Sequence, residues 1–463
     1  MEASNPNPPQ ETLFHRVVRK HFVEFQAKVR RWGDGAGFIV SAFRKYLDCG
    51  DAARGCAEVK CPGCGYECQV PFSCRNRVCP SCAARAMKTG AAKLVGEILP
   101  QVPYRHVVVS YPFGWNSRLA FQRKLRSAVQ RMVTNVLQDW ESERSVDGKC
   151  GGALFRHRAG AALELRIHDH GLLFGGVYRK NEDGSLSFQA SQDPELEDVK
   201  WLAVRLEAEF RALMIEHGVT REEVKDGEEK NDAEQLELLA SGKAERARKG
   251  TALADPEAGE VEHPTNGLWA RVNGLHVFVS ARIPAEARGE LQKLCGYLLR
   301  PGFSVGRLGQ RADGMLTYRL EEKDKRGNTV LVLKPVDFML RVASLMHAPG
   351  QHVCRYFGIL AGGSADRKKV IPKREVKDCK HEAKEPEIIK EATPTLPIGL
   401  TWPEVMRRLT GSTSLKCPKC ACRMKPKRLV TEPPPLRRCG PRRDAERARG
   451  PPGGAAARAL PAV

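Results

Sequence analysis

The feature that most constrains this chain is the spacing of its cysteines between residues 61 and 82. Cys-Pro-Gly-Cys occupies 61–64, and Cys-Pro-Ser-Cys occupies 79–82. Two C-x-x-C pairs match the ligand spacing of a four-thiolate zinc site, and the small residues inside each pair let backbone amides reach the sulfurs. Buried free cysteines would not need this paired spacing. We therefore predict one structural zinc ion, about one equivalent per chain, held by Cys61, Cys64, Cys79 and Cys82.

Other cysteines leave the ligand set open. Cys74 lies shortly before Cys79 and is the first alternative ligand. A second group, CPKCAC at 417–422, has no second pair beside it, so a half-site or a surface turn is as consistent with it as a second zinc site. The reserve ligands are Cys49, Cys56 and Cys68.

Two arginines, Arg75 and Arg77, flank the second C-x-x-C pair. The chain as a whole has 463 residues and carries 76 Lys+Arg against 55 Asp+Glu, a formal net charge of +21. Such an excess favours an extended polyanion as partner, because each neutralised phosphate releases a condensed counterion. Arg75 and Arg77 are therefore candidate phosphate contacts, with a purely solvated surface as the equally weighted alternative.

The N-terminal stretch MEASNPNPPQETLFHRVVRK is polar and lacks the apolar core of a signal peptide. No apolar run reaches the roughly 18 residues that a membrane-spanning helix needs. We therefore expect a cytoplasmic protein. In that reducing compartment, clustered cysteines bind metal more often than they form disulfides.

Hydrophobic periodicity divides the chain into parts. Strand-like and helical segments alternate irregularly through the middle, which predicts an α+β fold rather than a doubly wound sheet. The expected parts are a helical and disordered lead at 1–48, a zinc-binding domain at 49–100, a main domain at 101–361 with a charged insertion at 219–262, a linker at 362–400, and a cysteine motif with a disordered basic tail at 401–463.

A strand-like run at 163–178 carries His168 and His170. Side chains two apart on a strand share a face. Both imidazoles can then bind one divalent cation, which in turn can polarise a scissile phosphate. The pair alone is weak support, since many strand histidines only pack or hydrogen-bond. His276, in the β-prone run GLHVFVS, is the candidate third ligand, with a packing role as its alternative.

A helix predicted from Pro284 to about Arg300 contains Tyr297. Lys293 and Arg300 lie four residues before and three residues after Tyr297, so all three share one helix face. Cations beside a phenol favour phenolate, a nucleophile able to attack phosphorus. Most helical tyrosines are packing residues, which is the alternative here.

Six sequence blocks follow one another in a recognisable order: FSCRNRVCPSCAARAM, ILPQVPYRHVVVSYPF, IHDHGLLFGGVY, LHVFVSARIPAEARGELQKLCGYLLRP, HVCRYFGILAGGSADRKKVIP and CPKCACRMKPKRLV. This order resembles the rolling-circle insertion-sequence transposases of the ninety-one type and their common-region relatives. The resemblance spans residues 40–430, and agreement of several blocks in order and spacing is more specific than any single motif.

The resemblance implies a bacterial transposase with a nuclease domain of the His-hydrophobe-His (HUH) type, built from an antiparallel sheet and helices. Its metal histidines map onto His168 and His170, and its nucleophile onto Tyr297. Lys293 and Pro301 stand one turn from Tyr297 on either side, so the chain looks like the single-tyrosine branch. The implied cofactors are structural Zn and catalytic Mg or Mn. The implied partners are single-stranded DNA and the termini of the mobile element.

Two positions depart from the family pattern. Asp169 stands where the family prefers an apolar residue, and is expected either to be buried at a cost or to turn toward the metal. Gly175 replaces a common acidic residue, and the tail after Pro433 is rich in Pro, Arg and Gly. The alternative functions are a plasmid rolling-circle replication initiator, and a decayed or non-catalytic zinc-containing DNA-binding protein.

Overall fold

A computed structural model describes residues 12–33, 36–218, 267–321, 323, 327–372, 417–420, 422 and 424–430. The predicted insertion at 219–262, most of the predicted linker at 362–400 and the predicted tail after Pro433 lie outside the described residues.

The described helices are α1 (Leu13–Arg30), α2 (Gly37–Leu47), α3 (Pro80–Lys93), α4 (Asn116–Phe121), α5 (Arg123–Glu143), α6 (Leu196–Glu216), α7 (Arg288–Leu298), α8 (Pro335–Ser344) and α9 (Arg367–Val370). The strands are β1 (Cys56–Lys60), β2 (Glu67–Pro71), β3 (Tyr104–Ser110), β4 (Gly151–Ala159), β5 (Leu165–Phe174), β6 (Gly176–Lys180), β7 (Leu186–Ala190), β8 (Gly267–Val272), β9 (Leu275–Ser280), β10 (Leu308–Gln310), β11 (Leu316–Arg319), β12 (Val330–Leu333), β13 (Cys354–Gly358) and β14 (Lys425–Val430).

A six-stranded antiparallel sheet with the order β13-β4-β5-β3-β9-β8 forms the centre of the fold. Valines alternate with more exposed residues along its strands, so that Val107, Val109 and Val277 are buried on one face. Helices α4, α5 and α6 cover that face, where Phe210 of α6 contacts Tyr111. The opposite face carries histidines of β3, β4 and β5 and holds the candidate site.

The stretch 267–280, whose sequence resembles one strand, is a hairpin of β8 and β9. Asn273 and Gly274 form its turn with φ values of 47° and 77°. Positive φ at both central residues is the type I′ geometry, which matches the twist of paired strands and favours Asn-Gly. The turn places His276 on β9, next to β3.

Helix α7 begins at Arg288, four residues later than the sequence suggested. Ile283 pairs with Tyr104 through two backbone hydrogen bonds of 2.8 and 3.0 Å, which keep the chain extended up to Pro284. A turn from Pro284 to Ala287 then leads into the helix. The tyrosine helix is therefore anchored to the sheet at its N-terminal side.

The cysteine-rich region contains a second, three-stranded sheet with the order β14-β1-β2. Its small core is separate from the main one and includes Val59 and Met424. Strand β14 comes from the C-terminal part of the sequence, yet pairs with β1 along its length. The described residues thus form mixed helices and antiparallel sheets, which confirms the predicted α+β class. None of their helices is long and apolar enough to cross a membrane.

Candidate active site and cysteine clusters

Three histidines meet on the face of the large sheet opposite helices α4, α5 and α6. His157 of β4 stands directly opposite His168 of β5 in the antiparallel register, and His170 follows on the same face. One nitrogen from each ring lies within 4.8 Å of the other two. The backbone pairing of β4 and β5 therefore creates a three-nitrogen cluster of the size that one metal ion needs.

Hydrogen bonds orient the three rings. His157 Nε2 lies 2.9 Å from the carbonyl oxygen of Leu298, and His168 Nδ1 lies 3.0 Å from that of Arg166. Since a carbonyl only accepts, both nitrogens donate, which leaves His157 Nδ1 and His168 Nε2 with free lone pairs. Such outer partners fix the tautomer of metal-binding histidines.

The third ring, His170, is held by another histidine. Its Nδ1 lies 2.8 Å from Nε2 of His106 on β3, and the two rings are stacked. Its Nε2 is buried and has no hydrogen-bond partner among the described residues. A buried acceptor without a partner is costly, and a bound cation would satisfy it. The residues therefore fit a divalent metal ion.

Burial keeps these imidazoles neutral. It lowers the pKa of His157 to about 3, with the charge of His168 as a second cause. It also lowers the pKa of His168 to about 4 and that of His170 well below its ordinary value. Neutral imidazole is the form that binds metal, so the cluster is ready to coordinate at neutral pH.

The predicted third ligand, His276, does not join this cluster. It pairs with Ser110 of β3, while Ser110 pairs with His168 on its other side. His276 and His168 are thus two strands apart, and His276 contributes no nitrogen to the group of ring nitrogens that lie within 4.8 Å of one another. The structure brings His157 to that position instead. The signal that could have identified His157 is the segment FRHRAG, which a short connection joins to the strand containing IHDH. Two such segments in succession are the pattern of a hairpin.

Tyr297 lies against the histidine cluster. Its ring centroid is 6.0 Å from that of His157 and 5.6 Å from that of His170, and 39% of the residue is exposed. The guanidinium of Arg300 stacks over the tyrosine ring at 4.1 Å. Lys293, the other predicted cation, is exposed on the same helix. The structure thus brings Tyr297 and Arg300 together with His168 and His170.

The tyrosine helix also contacts the cysteine-rich region. Arg288 of α7 donates hydrogen bonds to the carbonyls of Pro100 and Leu99, at 3.0 and 2.9 Å. Helix α3 packs against α7, and a Cβ at Gly90 would approach the end of the Leu299 side chain to 2.8 Å, so a larger residue there would require that side chain to shift. The position of Tyr297 therefore depends on the helix that follows the cysteine clusters.

Arg77 lies in the loop between Cys74 and Cys79. Burial lowers the pKa of Arg77. The charge of Arg77 is among the influences that, after burial, lower the pKa of His157 and of His347. Arg77 has no ion-pair partner within the described ranges, whereas the neighbouring Arg75 is exposed. A guanidinium without a carboxylate partner near the histidine cluster is available to bind an anion.

Asp169, between the two histidines of β5, faces the helix-covered side of the sheet. Its carboxylate accepts a 2.8 Å hydrogen bond from Nε of Arg156 and a second bond from the same guanidinium. The hydroxyl of Tyr111 donates a third, at 2.6 Å. Asp169 is fully buried, so this acidic residue is paired within the core and turned away from the cluster.

The cysteines divide into two clusters rather than one. Cys49, Cys74, Cys79 and Cys82 form the first, in which three of the sulfur pairs are 3.6–3.7 Å apart and all four sulfurs lie within 4.8 Å of one another. A tetrahedral zinc with bonds of about 2.3 Å requires sulfurs about 3.8 Å apart, which this cluster approaches. The second consists of Cys61, Cys64, Cys417 and Cys420.

The predicted ligand set of Cys61, Cys64, Cys79 and Cys82 is therefore corrected. Each C-x-x-C pair is intact, but the two pairs belong to different clusters. Cys74 and the reserve ligand Cys49 complete one of them. Strand β14 pairs with β1, and this pairing brings Cys417 and Cys420 to the cluster that contains Cys61 and Cys64. The spacing of cysteines along the sequence does not reveal this contact. Cys56 joins neither cluster.

Two family models match the chain. The transposase zinc-binding domain matches residues 17–111, and the family described as "Putative transposase" matches residues 151–369. Together the matches cover more than half of the chain and define it as a transposase, an enzyme that acts on DNA. The chain belongs to the ninety-one-type family of insertion-sequence transposases, which confirms the sequence-based resemblance and the structural role of zinc. No curated protein and no solved structure gives a significant match.

Proposed function

We propose that this transposase nicks and rejoins single-stranded DNA at the termini of its mobile element, through a covalent phosphotyrosine bond, in rolling-circle transposition. The contact of the Tyr297 ring with His157 and His170 carries the proposal. The proposed nuclease is of the HUH type and of the single-tyrosine branch, with residues 101–361 as the catalytic domain and residues 49–100 as the zinc-binding domain.

The three histidines would hold Mg or Mn through Nδ1 of His157 and the Nε2 atoms of His168 and His170. When bound, such an ion withdraws negative charge from a phosphate and so makes the phosphorus easier to attack. The remaining nitrogen of each ring already has a hydrogen-bond partner, which holds the rings in the orientation that the ion needs.

The charge of the cleft favours an anionic substrate. The cluster consists of three histidines and includes no carboxylate of the described residues. Neutral imidazoles leave the charge of a divalent ion uncompensated, and Arg77 adds a positive charge nearby. Arg300 adds another, although it also forms a 3.7 Å ion pair with Glu321. A DNA phosphate would balance these charges, and each contact would release counterions from the DNA.

Tyr297 supplies the nucleophile, and its exposure allows a DNA strand to reach it. The bond between the tyrosine oxygen and phosphorus forms while the bond between phosphorus and the 3′-oxygen breaks. The phenolic proton passes to water, and the released 3′-oxygen takes a proton from water. Arg300 stabilises the negative charge near the ring. Attack by a 3′-hydroxyl on the phosphotyrosine reverses the step and joins the strands.

His157→Ala is expected to weaken Mn2+ binding by at least about 10–100-fold, since even the loss of an outer-shell partner costs that much. Cleavage should fall with it. We would measure Mn2+ affinity by titration calorimetry, and cleavage with labelled single-stranded oligonucleotides that tile the ends of the element.

His276→Ala is the matched control, because His276 lies in the same sheet outside the cluster. It should keep both metal binding and cleavage. Equal losses in the two variants, or normal metal binding by His157→Ala, would overturn the proposed ligand set.

Arg77→Ala is expected to reduce cleavage by about tenfold to a hundredfold, the effect of losing one hydrogen bond between charged groups. The exposed Arg75 lies in the same loop, so Arg75→Ala is its control and should change cleavage little. Single-turnover rates at saturating DNA separate this effect from general loss of binding. Similar cleavage rates for the two variants would contradict a contact between Arg77 and the DNA in the cleft.

A further inference from the structure

We propose that Cys61, Cys64, Cys417 and Cys420 bind a second zinc ion, which fastens the C-terminal cysteine motif to the hairpin of β1 and β2. The matched zinc-binding domain ends at residue 111, so half of these ligands lie outside it. The first cluster, with all four cysteines inside that domain, accounts for the zinc that the family implies.

The sulfur geometry supports a metal site. Cys61 Sγ lies 3.3 Å from Cys420 Sγ, and Cys64 Sγ lies 3.5 Å from Cys417 Sγ. All four sulfurs lie within 4.8 Å of one another, and none belongs to a disulfide. A disulfide would bring two sulfurs to about 2 Å, whereas a tetrahedral zinc site holds four at about 3.8 Å. Four soft thiolates favour zinc over harder ions such as Mg2+.

Both cysteine pairs have the backbone of a zinc-binding turn. The amide of Lys419 donates to Cys417 Sγ at 3.4 Å. Each turn also closes on itself, because the amide of Cys61 donates to the carbonyl of Tyr66 at 2.8 Å. The corresponding bond runs from the amide of Cys417 to the carbonyl of Cys422, also at 2.8 Å. Amides directed at sulfur stabilise thiolates, the form that binds zinc.

The site would join distant parts of the chain. Cys64 and Cys417 are 353 residues apart, so bringing them together costs loop-closure entropy. Within the described residues, the other contacts of the C-terminal segment are few: five residues of β14 pair with β1, and Met424 packs in the small core. Lys427 adds an ion pair to Glu67 that is exposed and therefore weak. A zinc ion with two ligands on each side would supply the missing stabilisation.

The first test is the zinc content of the full chain, purified with a reductant and without added metal, by elemental analysis and native mass spectrometry. We expect two zinc ions in the wild type and one in Cys417→Ser/Cys420→Ser. Cys422→Ser is the matched control, because Cys422 is an exposed neighbour outside the cluster, and it should keep two.

Cys74→Ser should also lose one ion, from the first cluster. One zinc in the wild type, or two in Cys417→Ser/Cys420→Ser, would overturn the proposal. If the second ion were another metal, the assignment of zinc to this site would be wrong. The wild-type content decides the question even if a variant fails to fold.

The second test asks whether zinc holds the C-terminal segment to the rest of the protein. A protease recognition sequence inserted between residues 373 and 416 allows the full chain to be cut after purification. We expect the C-terminal fragment to stay bound on gel filtration and to leave after zinc is chelated, or after the Cys417→Ser/Cys420→Ser change. If the fragment dissociates as soon as the chain is cut, or stays bound after chelation, the second zinc ion does not hold the C-terminal segment in place.

Discussion

Tyr297→Phe is expected to abolish the covalent protein–DNA adduct while folding and DNA binding survive. The change removes only the hydroxyl, and the ring can keep its contacts with His157, His170 and Arg300. Without a nucleophilic oxygen, adduct formation should fall to below about a thousandth of the wild-type rate. The adduct is measured by denaturing gel electrophoresis of protein incubated with labelled single-stranded DNA and Mn2+.

Tyr356→Phe is a matched control for that experiment. Tyr356 also lies under an arginine, Arg367, at 4.9 Å, but makes no ring contact with the histidines among the described residues. Its variant should form adduct normally. If Tyr297→Phe formed adduct at the wild-type rate, Tyr297 would not be the nucleophile. If the wild type formed none with any oligonucleotide from the element ends, the alternative of a DNA-binding protein without catalysis would be favoured.

Asp169→Ala is expected to lower the free energy of unfolding by about 3–5 kcal/mol. The substitution leaves Arg156 charged and buried without its partner, and breaking a buried ion pair costs that much. Tyr111 also loses the acceptor of its hydroxyl. Chemical denaturation followed by circular dichroism gives the free energy. Asp169 faces away from the cluster, so Mn2+ affinity measured below the unfolding transition should stay close to wild type.

The double variant Arg156→Met/Asp169→Leu serves as the control for this loss. It removes both charges together, and replacing a buried pair by apolar residues of similar size is often close to neutral. We therefore expect it to recover most of the stability that Asp169→Ala loses. If the double variant were as unstable as Asp169→Ala, the loss in the free energy of unfolding would come from packing rather than from the unpaired charge. A Mn2+ affinity that fell with Asp169→Ala would contradict the orientation away from the metal.

Much of the local structure could be predicted from the sequence. The run at residues 163–178 became strands, and the helix containing Tyr297 formed, because hydrophobic alternation and three-to-four spacing are local properties. The sequence-based predictions were wrong where a contact with a distant part of the chain sets the local conformation. The helix predicted from Pro284 starts at Arg288 because Ile283 pairs with Tyr104 on a distant strand.

Asp169 shows what a sequence pattern leaves open. Between two histidines proposed as metal ligands, an acidic residue is compatible with a third ligand or with a buried residue. The register of β4 and β5 decides, because alternate residues face opposite sides of a sheet, and Arg156 stands directly opposite Asp169. The partner that makes burial tolerable lies on another strand and could not be inferred from the IHDH motif.

The sequence by itself determined the chemistry available to this protein: cysteine pairs that bind zinc, two histidines on one strand face, a tyrosine among cations, and the family. Those properties depend on residue type and short spacing. The tertiary structure decided which groups meet. It selected His157 over His276 and divided the cysteines between two clusters. Strand order and the pairing of β1 with β14 are set by packing across hundreds of residues, and the distances between site residues follow from them.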